Sequence, residues 1–534
     1  MKKLYRVYVS LLSLSLFFSA CETEDELIEE RLENNPLPPV GAISGDPGTV
    51  NLGKFVAIGN SLTAGLMDAA LYSSGQQNSF PNILANHFQA VEGLDAGTFN
   101  QPDISSTNGY NISINNVGGQ VAGRFILDTS IPGPIPTVGE LPTPYGGDRS
   151  QLNNFGVPGA RVLDVAASGY GQVNPFFARF ASSANASMLG DASAAQGSFF
   201  TVWLGGNDVL SWARVGGAAP DGEENPDAEQ TEANTLSSIN SFTQAYSNVI
   251  NSMLAAHTDA RGVAITIPSI TLLPFFRAVT YDPIALDQAN ADALNAGYAD
   301  YNQGVQAAAQ FGMITEEEAA LRNISFQLTT NANETNAVVI LDEDLSDITL
   351  PDPQGGDPIV LPKLRQANAS DLLTFNVATL LGTSTEAGIY GLEAPVENQY
   401  VLTLNEQIVL NTRIAFFNGI IAQIVASTGG RVALVDVNTI FADVAGLTAE
   451  QATQLGLSSE AIASADGVQG IVVDGVSLQP DFSPNGIIST DGVHPNPKGH
   501  ALVANAIIEV MNEAFEADIP PIDITPFRTV VVAL

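Results

Sequence analysis

Ser61, Asp491, His494 and Asn207 are the residues of this chain whose types and surroundings could carry out chemistry together. Ser61 ends a short apolar run, Phe55-Val56-Ala57-Ile58-Gly59-Asn60, and could serve as a nucleophile. A serine needs a base, and histidine is the usual one near neutral pH. His494 lies three residues after Asp491 in a loop punctuated by Gly492 and Pro495. That spacing lets a carboxylate reach the imidazole and set its tautomer and orientation. The amide of Asn207, after the run Phe199 to Leu204, could hold a developing oxyanion. The backbone N–H of a turn glycine, Gly159 or Gly156, would add a second donor. Each residue also has a plainer reading. Gly-Asn-Ser and Asp-Gly are ordinary turn chemistry, Asn207 can shape an Asx turn, and glycine serves turns with positive φ. His87, His257 and His500 fall in helical stretches and read as packing or capping residues.

The elements that must position these residues alternate between strand and helix. Residues 54–58 read as a buried strand, because a short apolar run ends at a turn signal. Helical pieces follow over 62–73 and 80–88, then Gly, Asn, Pro and Thr predict loops and short strands to residue 150. A strand ends near Gly159, and the Ala/Ser-rich stretch 160–190 is expected as helix. Residues 198–204 read as strand, 231–257 as an amphipathic helix and 262–268 as a buried strand. In the long stretch 275–400, helix is expected over 282–312 and strands, as a hairpin, over 337–350 and 358–361. Thr403 and Glu406 fit a capping box for a helix ended by Gly429-Gly430. A strand at 431–437, a variable region 440–488 and a helix 497–515 complete the order. Strands alternating with helices imply an α/β fold with a mostly parallel sheet covered on both faces.

Taken together, the blocks resemble the SGNH hydrolases, also called GDSL lipases and esterases. Ser61 in Gly59-Asn60-Ser61-Leu62 matches the first block, and Gly159 in Asn154-Phe155-Gly156-Val157-Pro158-Gly159 the second. Asn207 in Gly205-Gly206-Asn207-Asp208 matches the third, and Asp491 with His494 matches the last. Any one block is common; four in family order are specific. The resemblance implies a three-layer α/β/α fold with a flavodoxin-like sheet and large insertions. It implies a catalytic set of Ser61, Asp491 and His494. The oxyanion hole it implies comprises Ser61, Gly159 and Asn207, with no metal or cofactor. One departure stands at position 60, where the family usually has aspartate and this chain has Asn60.

Composition narrows the partners. With 57 acidic against 19 basic residues, the net charge of −38 argues against nucleic acid. Asp342, Glu343, Asp344, Asp347, Asp352 and Asp357 lack a calcium-loop spacing and read as a solvated acidic stretch. Lys2, Lys3 and Arg6 precede an apolar stretch too short for a comfortable membrane span, which ends in Phe18-Ser19-Ala20-Cys21. This resembles a bacterial lipoprotein signal peptide over 1–20, with lipid placed on Cys21, the only cysteine. An acidic, then Pro-rich tether over 21–50 would follow. The acidic run 22–26 resembles an export tag of surface lipoproteins, so the expected place is the outer membrane of a bacterial envelope, facing outward. The expected domain is 51–515 with an insertion near 275–400, and a tail over 516–534. The expected activity is carboxylic ester hydrolysis of lipase or acyl esterase type through an acyl-enzyme, on a lipid or an acylated glycan. Polysaccharide O-deacetylation, or a catalytically silent surface-binding protein on the same fold, are the alternatives.

Overall fold

Phe55–Gly59 forms strand β1, and all five residues are buried. A strand buried on both faces is what a parallel sheet between helical layers produces. The computed structural model describes residues 43–534, except 115, 129, 131–132, 331–334, 353, 474 and 533–534. The signal peptide, Cys21 and the tether up to residue 42 lie outside the described residues. After β1 come helix α1 (Ser61–Ala64), helix α2 (Phe80–Ala90), strand β2 (Asn154–Gly156) and strand β3 (Phe199–Trp203). Helices α3 (Asn207–Ala213) and α4 (Ile239–Ala256) and strand β4 (Arg261–Ile265) follow. The chain then runs through helix α5 (Leu404–Ala426), strand β5 (Val432–Val435), helices α6 (Val437–Ala445) and α7 (Ala449–Gln454), and helix α8 (Pro497–Phe515).

The five strands lie in the order β2-β1-β3-β4-β5, and every neighbouring pair is parallel. This is the flavodoxin-like order, whose direction of winding reverses between β1 and β3. Ligands of such sheets bind at the carboxyl ends of the strands, at that reversal. Helix α2 packs with α8, and α4 with α5. The second pair meets through Phe242 and Phe417, whose rings stack at 3.8 Å. The capping box expected at Thr403 and Glu406 is present and starts α5.

Several expectations are corrected. The helix expected over 62–73 stops at Ala64, because Gly65 takes a left-handed φ of 79°. The stretch 160–190 is mostly turns, with short helical pieces only. Gly169 (φ 74°) and Asn174-Pro175 break it, and its apolar residues, Val162, Val165 and Phe177 among them, are buried from turns and short helices instead of one helical face. The tether expectation overruns the fold: residues from Gly45 belong to the compact unit, and the Thr49 N–H donates to the Phe515 carbonyl. The region 440–488 is ordered as α6, α7, a helix at Ser459–Ser464 and a hairpin of Ile471–Val473 with Val476–Leu478. Asp436, Thr448 and Ser458 cap its helices. In the insertion, Ile348–Leu350 pairs with Ile359–Leu361 as a hairpin, over a separate small core that includes Val305 and Ile348. Asp342 is not solvated: it is buried against Arg365, which also grips Asp371. The tail buries Ile519, Ile522 and Ile524, and among its described residues it forms no strand beyond isolated bridges at Asp518 and Val532.

Candidate active site

Gly59 ends β1 where the chain must fold back sharply. A Cβ there would lie 1.9 Å from Thr63 Oγ1, so only glycine lets α1 close on the strand. Asn60 is 2% exposed and caps α1 by accepting the Leu62 N–H on its side-chain oxygen at 3.0 Å. The amide therefore performs the capping that a carboxylate would perform, without placing a buried charge beside Ser61. Ser61 follows as the first residue of α1, at the carboxyl end of β1.

His494 comes from the loop before α8. Its Nε2 lies 2.9 Å from Ser61 Oγ, and its Nδ1 lies 2.8 Å from Asp491 Oδ2. All three side chains are buried. Asp491 Oδ1 accepts the N–H groups of Val493 and His494, and Oδ2 also accepts the Ala69 N–H at 2.8 Å. Burial by itself would raise the Asp491 carboxyl. The facing His494 and these hydrogen bonds outweigh it and hold the group well below the usual carboxylate range. The loop is pinned at its end by Asn496, whose side chain caps α8 and donates to the Gly486 carbonyl.

A second strut comes from Asp68 and Ala69. Both are non-glycine residues in the left-handed region, with φ of 55° and 62°. Such backbone costs about 1–3 kcal/mol per residue and persists only where its surroundings over-determine it. Asp68 accepts from the Thr490 N–H, the Thr490 hydroxyl and the Tyr72 hydroxyl, and its own N–H donates to Ser489. Tyr72 in turn accepts from Arg528 of the tail. This grip turns the Ala69 N–H onto Asp491.

Asn207 begins α3 after Gly205 (φ 104°), at the end of β3, the strand beside β1. Its Nδ2 donates to the Ala160 carbonyl at 3.0 Å, which ties it to the Gly159 turn and leaves its second amide hydrogen available. Gly159 has φ 81°, so its backbone requires glycine. Among the described residues neither the Ser61 N–H nor the Gly159 N–H has an acceptor. Gly156, the alternative donor, faces Gly59 across the sheet, and a Cβ on it would strike Ala64 N at 2.2 Å. It serves close packing of α1 instead.

The remaining histidines lie elsewhere. His87 bonds the Pro520 carbonyl, and His257 Nδ1 accepts the Asp259 N–H. His500 is fully buried, and Nδ1 accepts the Phe80 N–H. Burial, with His494 nearby, pushes it down to about 3, so it stays neutral.

Asp208, quoted in the third block without a role, joins two parts of the site. It accepts the Val162 N–H and the Ser237 hydroxyl, linking the turn after Gly159 and the segment before α4 to the start of α3. Burial pushes its carboxyl up to about 7, against these bonds and the charge of Arg161. A folded value above the unfolded one means that the folded state holds the proton more tightly. That stability is fully present below about pH 4 and is lost as pH rises through about 7. Asp208→Asn is therefore expected to flatten this part of the decline. Melting temperatures at pH 5 and pH 8 should differ less in the variant than in the native chain. An unchanged difference would remove Asp208 as the cause.

An apolar slot opens beside Ser61 and His494, walled by Trp203, Leu210, Ile270, Leu273, Phe441 and Val493. The GDSL-like lipase/acylhydrolase family model matches residues 55–336, which carry Ser61, Gly159 and Asn207. Asp491 and His494 lie beyond the matched segment, and the fold brings them to it. No curated protein and no solved structure matches the chain. The family match spans more than half of the sequence, on a flavodoxin-like sheet with the matched serine at the end of its first strand: the chain belongs to the GDSL-like lipase/acylhydrolase family, and its chemistry is ester hydrolysis.

Proposed function

We propose that the protein is a serine carboxylesterase of lipase or acyl esterase type. The observation that carries this reading is the unbroken chain of hydrogen bonds from Ser61 Oγ through His494 to Asp491. His494 Nε2 takes the Ser61 proton as Oγ attacks the ester carbonyl. Asp491 holds the imidazole and stabilises its charged form. The N–H groups of Ser61 and Gly159 and the Asn207 amide receive the oxyanion. His494 then returns the proton to the departing alcohol, and a water attacks the acyl-enzyme by the same route. Asn207→Ala is expected to lower kcat by on the order of 100-fold or more with little change in KM. Equal loss in both parameters would deny the amide its place at the transition state.

The apolar walls of the slot favour an acyl group over a sugar. A second reading, removal of O-acetyl groups from polysaccharide, draws on the size of the slot. Its free space is about 30 Å³, little more than one water molecule occupies. Rates on p-nitrophenyl esters from acetate to palmitate, and on acetylated xylan, separate the two. Activity confined to acetyl groups, with xylan among the substrates, would overturn the lipase-type reading.

Lipid attachment through Cys21 at the outer membrane, facing outward, completes the proposal. It rests on the sequence around that residue. In cells, Cys21→Ser is expected to abolish radiolabelled palmitate incorporation. Incorporation that persists in the variant would refute it.

A further inference from the structure

Helix α5 is apolar nearly all round. It is the one helix among the described residues long and apolar enough to cross a membrane, yet it packs on α4 and β5 in the soluble fold. Its inward side buries Leu410, Ile414, Phe417 and Ile421. Its outward side leaves Leu404 (50%), Ile408 (56%), Val409 and Phe416 (54%) exposed. Its only charged residues are Glu406, used in the capping box, and Arg413, buried and paired with Asp221. An outward helix face without one exposed charge is unexpected in a chain of net charge −38.

This face continues to the catalytic slot. A groove bounded by Ile408, Ala415 and Phe416 of α5 and by Leu455 after α7 carries no charged side chain. Gln454 and Leu455 are shared with a second, larger groove, walled by Leu272, Pro274, Leu447 and Phe482. Leu272 and Pro274 flank Leu273, a wall of the slot beside Ser61. Ala445 of the larger groove lies one helical turn along α6 from Phe441 of the slot. Val468, exposed at 61%, adjoins Gln469 on its rim.

We propose that the outer face of α5 and the two grooves seat the protein on an uncharged or zwitterionic lipid surface, and that the grooves lead an acyl chain towards Ser61. The occupant follows from continuity and charge. The exposed apolar strip runs to the slot where an acyl group would react; the groove along α5 carries no charged side chain, and the larger groove carries one acidic and one basic side chain, Asp481 and Arg277, which suits a surface without net charge. The proposal rests on the acyl esterase reading, but the docking can be measured without catalysis.

The test uses full-length chain with Cys21→Ser and Ser61→Ala, so that neither lipidation nor turnover intervenes. An environment-sensitive fluorophore is placed at Thr412→Cys, exposed on the outer face of α5, or at Asn86→Cys, exposed on α2 in the other helix pair. With phosphatidylcholine vesicles, emission from position 412 is expected to shift to the blue while position 86 stays unchanged. No shift at 412, or equal shifts at both, would overturn the docking face. A shift at 412 that grows with protein concentration in the absence of vesicles would overturn it in favour of a second copy. In the active chain, Ile408→Glu with Phe416→Glu is expected to slow hydrolysis of an emulsified long-chain ester about tenfold or more. Hydrolysis of dissolved p-nitrophenyl acetate should be unchanged. Equal rates on the emulsion would also overturn the proposal. Absence of all esterase activity beside an intact vesicle shift would instead count against the enzymatic reading alone.

Discussion

Ser61→Ala is expected to cut kcat on a dissolved aryl ester by about 10⁴-fold or more while the melting temperature stays near that of the native chain. The size follows from what the hydroxyl does. In the proposed mechanism it supplies the nucleophile, and without it His494 would have nothing to activate except water. The small structural cost follows from its partners. Among the described residues Ser61 Oγ bonds only His494 Nε2, and alanine fits the first position of a short helix. The backbone N–H at position 61 and the Asn207 amide remain, so weak residual turnover above background is compatible with the assignment. A fluorophosphonate should label the native chain and not the variant. Unchanged turnover, or labelling of the folded variant at the same rate, would place the nucleophile elsewhere. A folded native chain that is never labelled would favour the silent binding protein.

Asp491→Asn should show a loss of similar size, on the order of 10⁴-fold in kcat, and should also cost stability. The carboxylate accepts four hydrogen bonds: from Val493 N–H and His494 N–H on one oxygen, and from Ala69 N–H and His494 Nδ1 on the other. Every partner on the backbone is a donor. An asparagine must point its NH₂ at one pair, so a donor faces a donor whichever way it turns. If the NH₂ faces His494, the imidazole must present an unprotonated Nδ1, and its proton moves to Nε2, where the base is needed. If it faces the loop, two backbone N–H groups lose their acceptor, at about 1–3 kcal/mol each. The pH dependence carries a sign as well. The native carboxyl is held low, so its contribution is present above about pH 4 and is lost as pH falls further. The variant should lack that acid-side loss. Denaturation followed between pH 3 and pH 7, beside kcat at neutral pH, measures both. A variant with native kcat would show that Asp491 does not orient the base.

The local chemistry is legible in the order of residues. Gly59-Asn60-Ser61, Gly159 and Gly205-Gly206-Asn207 sit at strand ends, because short apolar runs closed by glycine have few other conformations open to them. The alternation of those runs with helices was enough for a parallel α/β sheet, and Asp491 with His494 bond each other within one loop. The capping box at Thr403 is equally local.

Contacts between distant segments set the rest. Ser61 and His494 are 433 positions apart, and no local pattern sets their 2.9 Å separation; the sheet order and the docking of the last loop do. Asp68 and Ala69 carry no signal in sequence. Their left-handed backbone opposes local preference and is held by Thr490, Ser489, Tyr72 and, through Tyr72, by Arg528 of the tail. The Ala/Ser-rich stretch 160–190 is the converse case: its small residues favour helix locally, but Gly169 and Asn174-Pro175 interrupt it, and Val162, Phe177 and Leu189 are buried from separate turns and short helices. Helix α5 shows the same limit from the other side. Its capping box marks where it starts, and the fold leaves one apolar face uncovered, because only the packing of α4 and β5 selects which side turns inward.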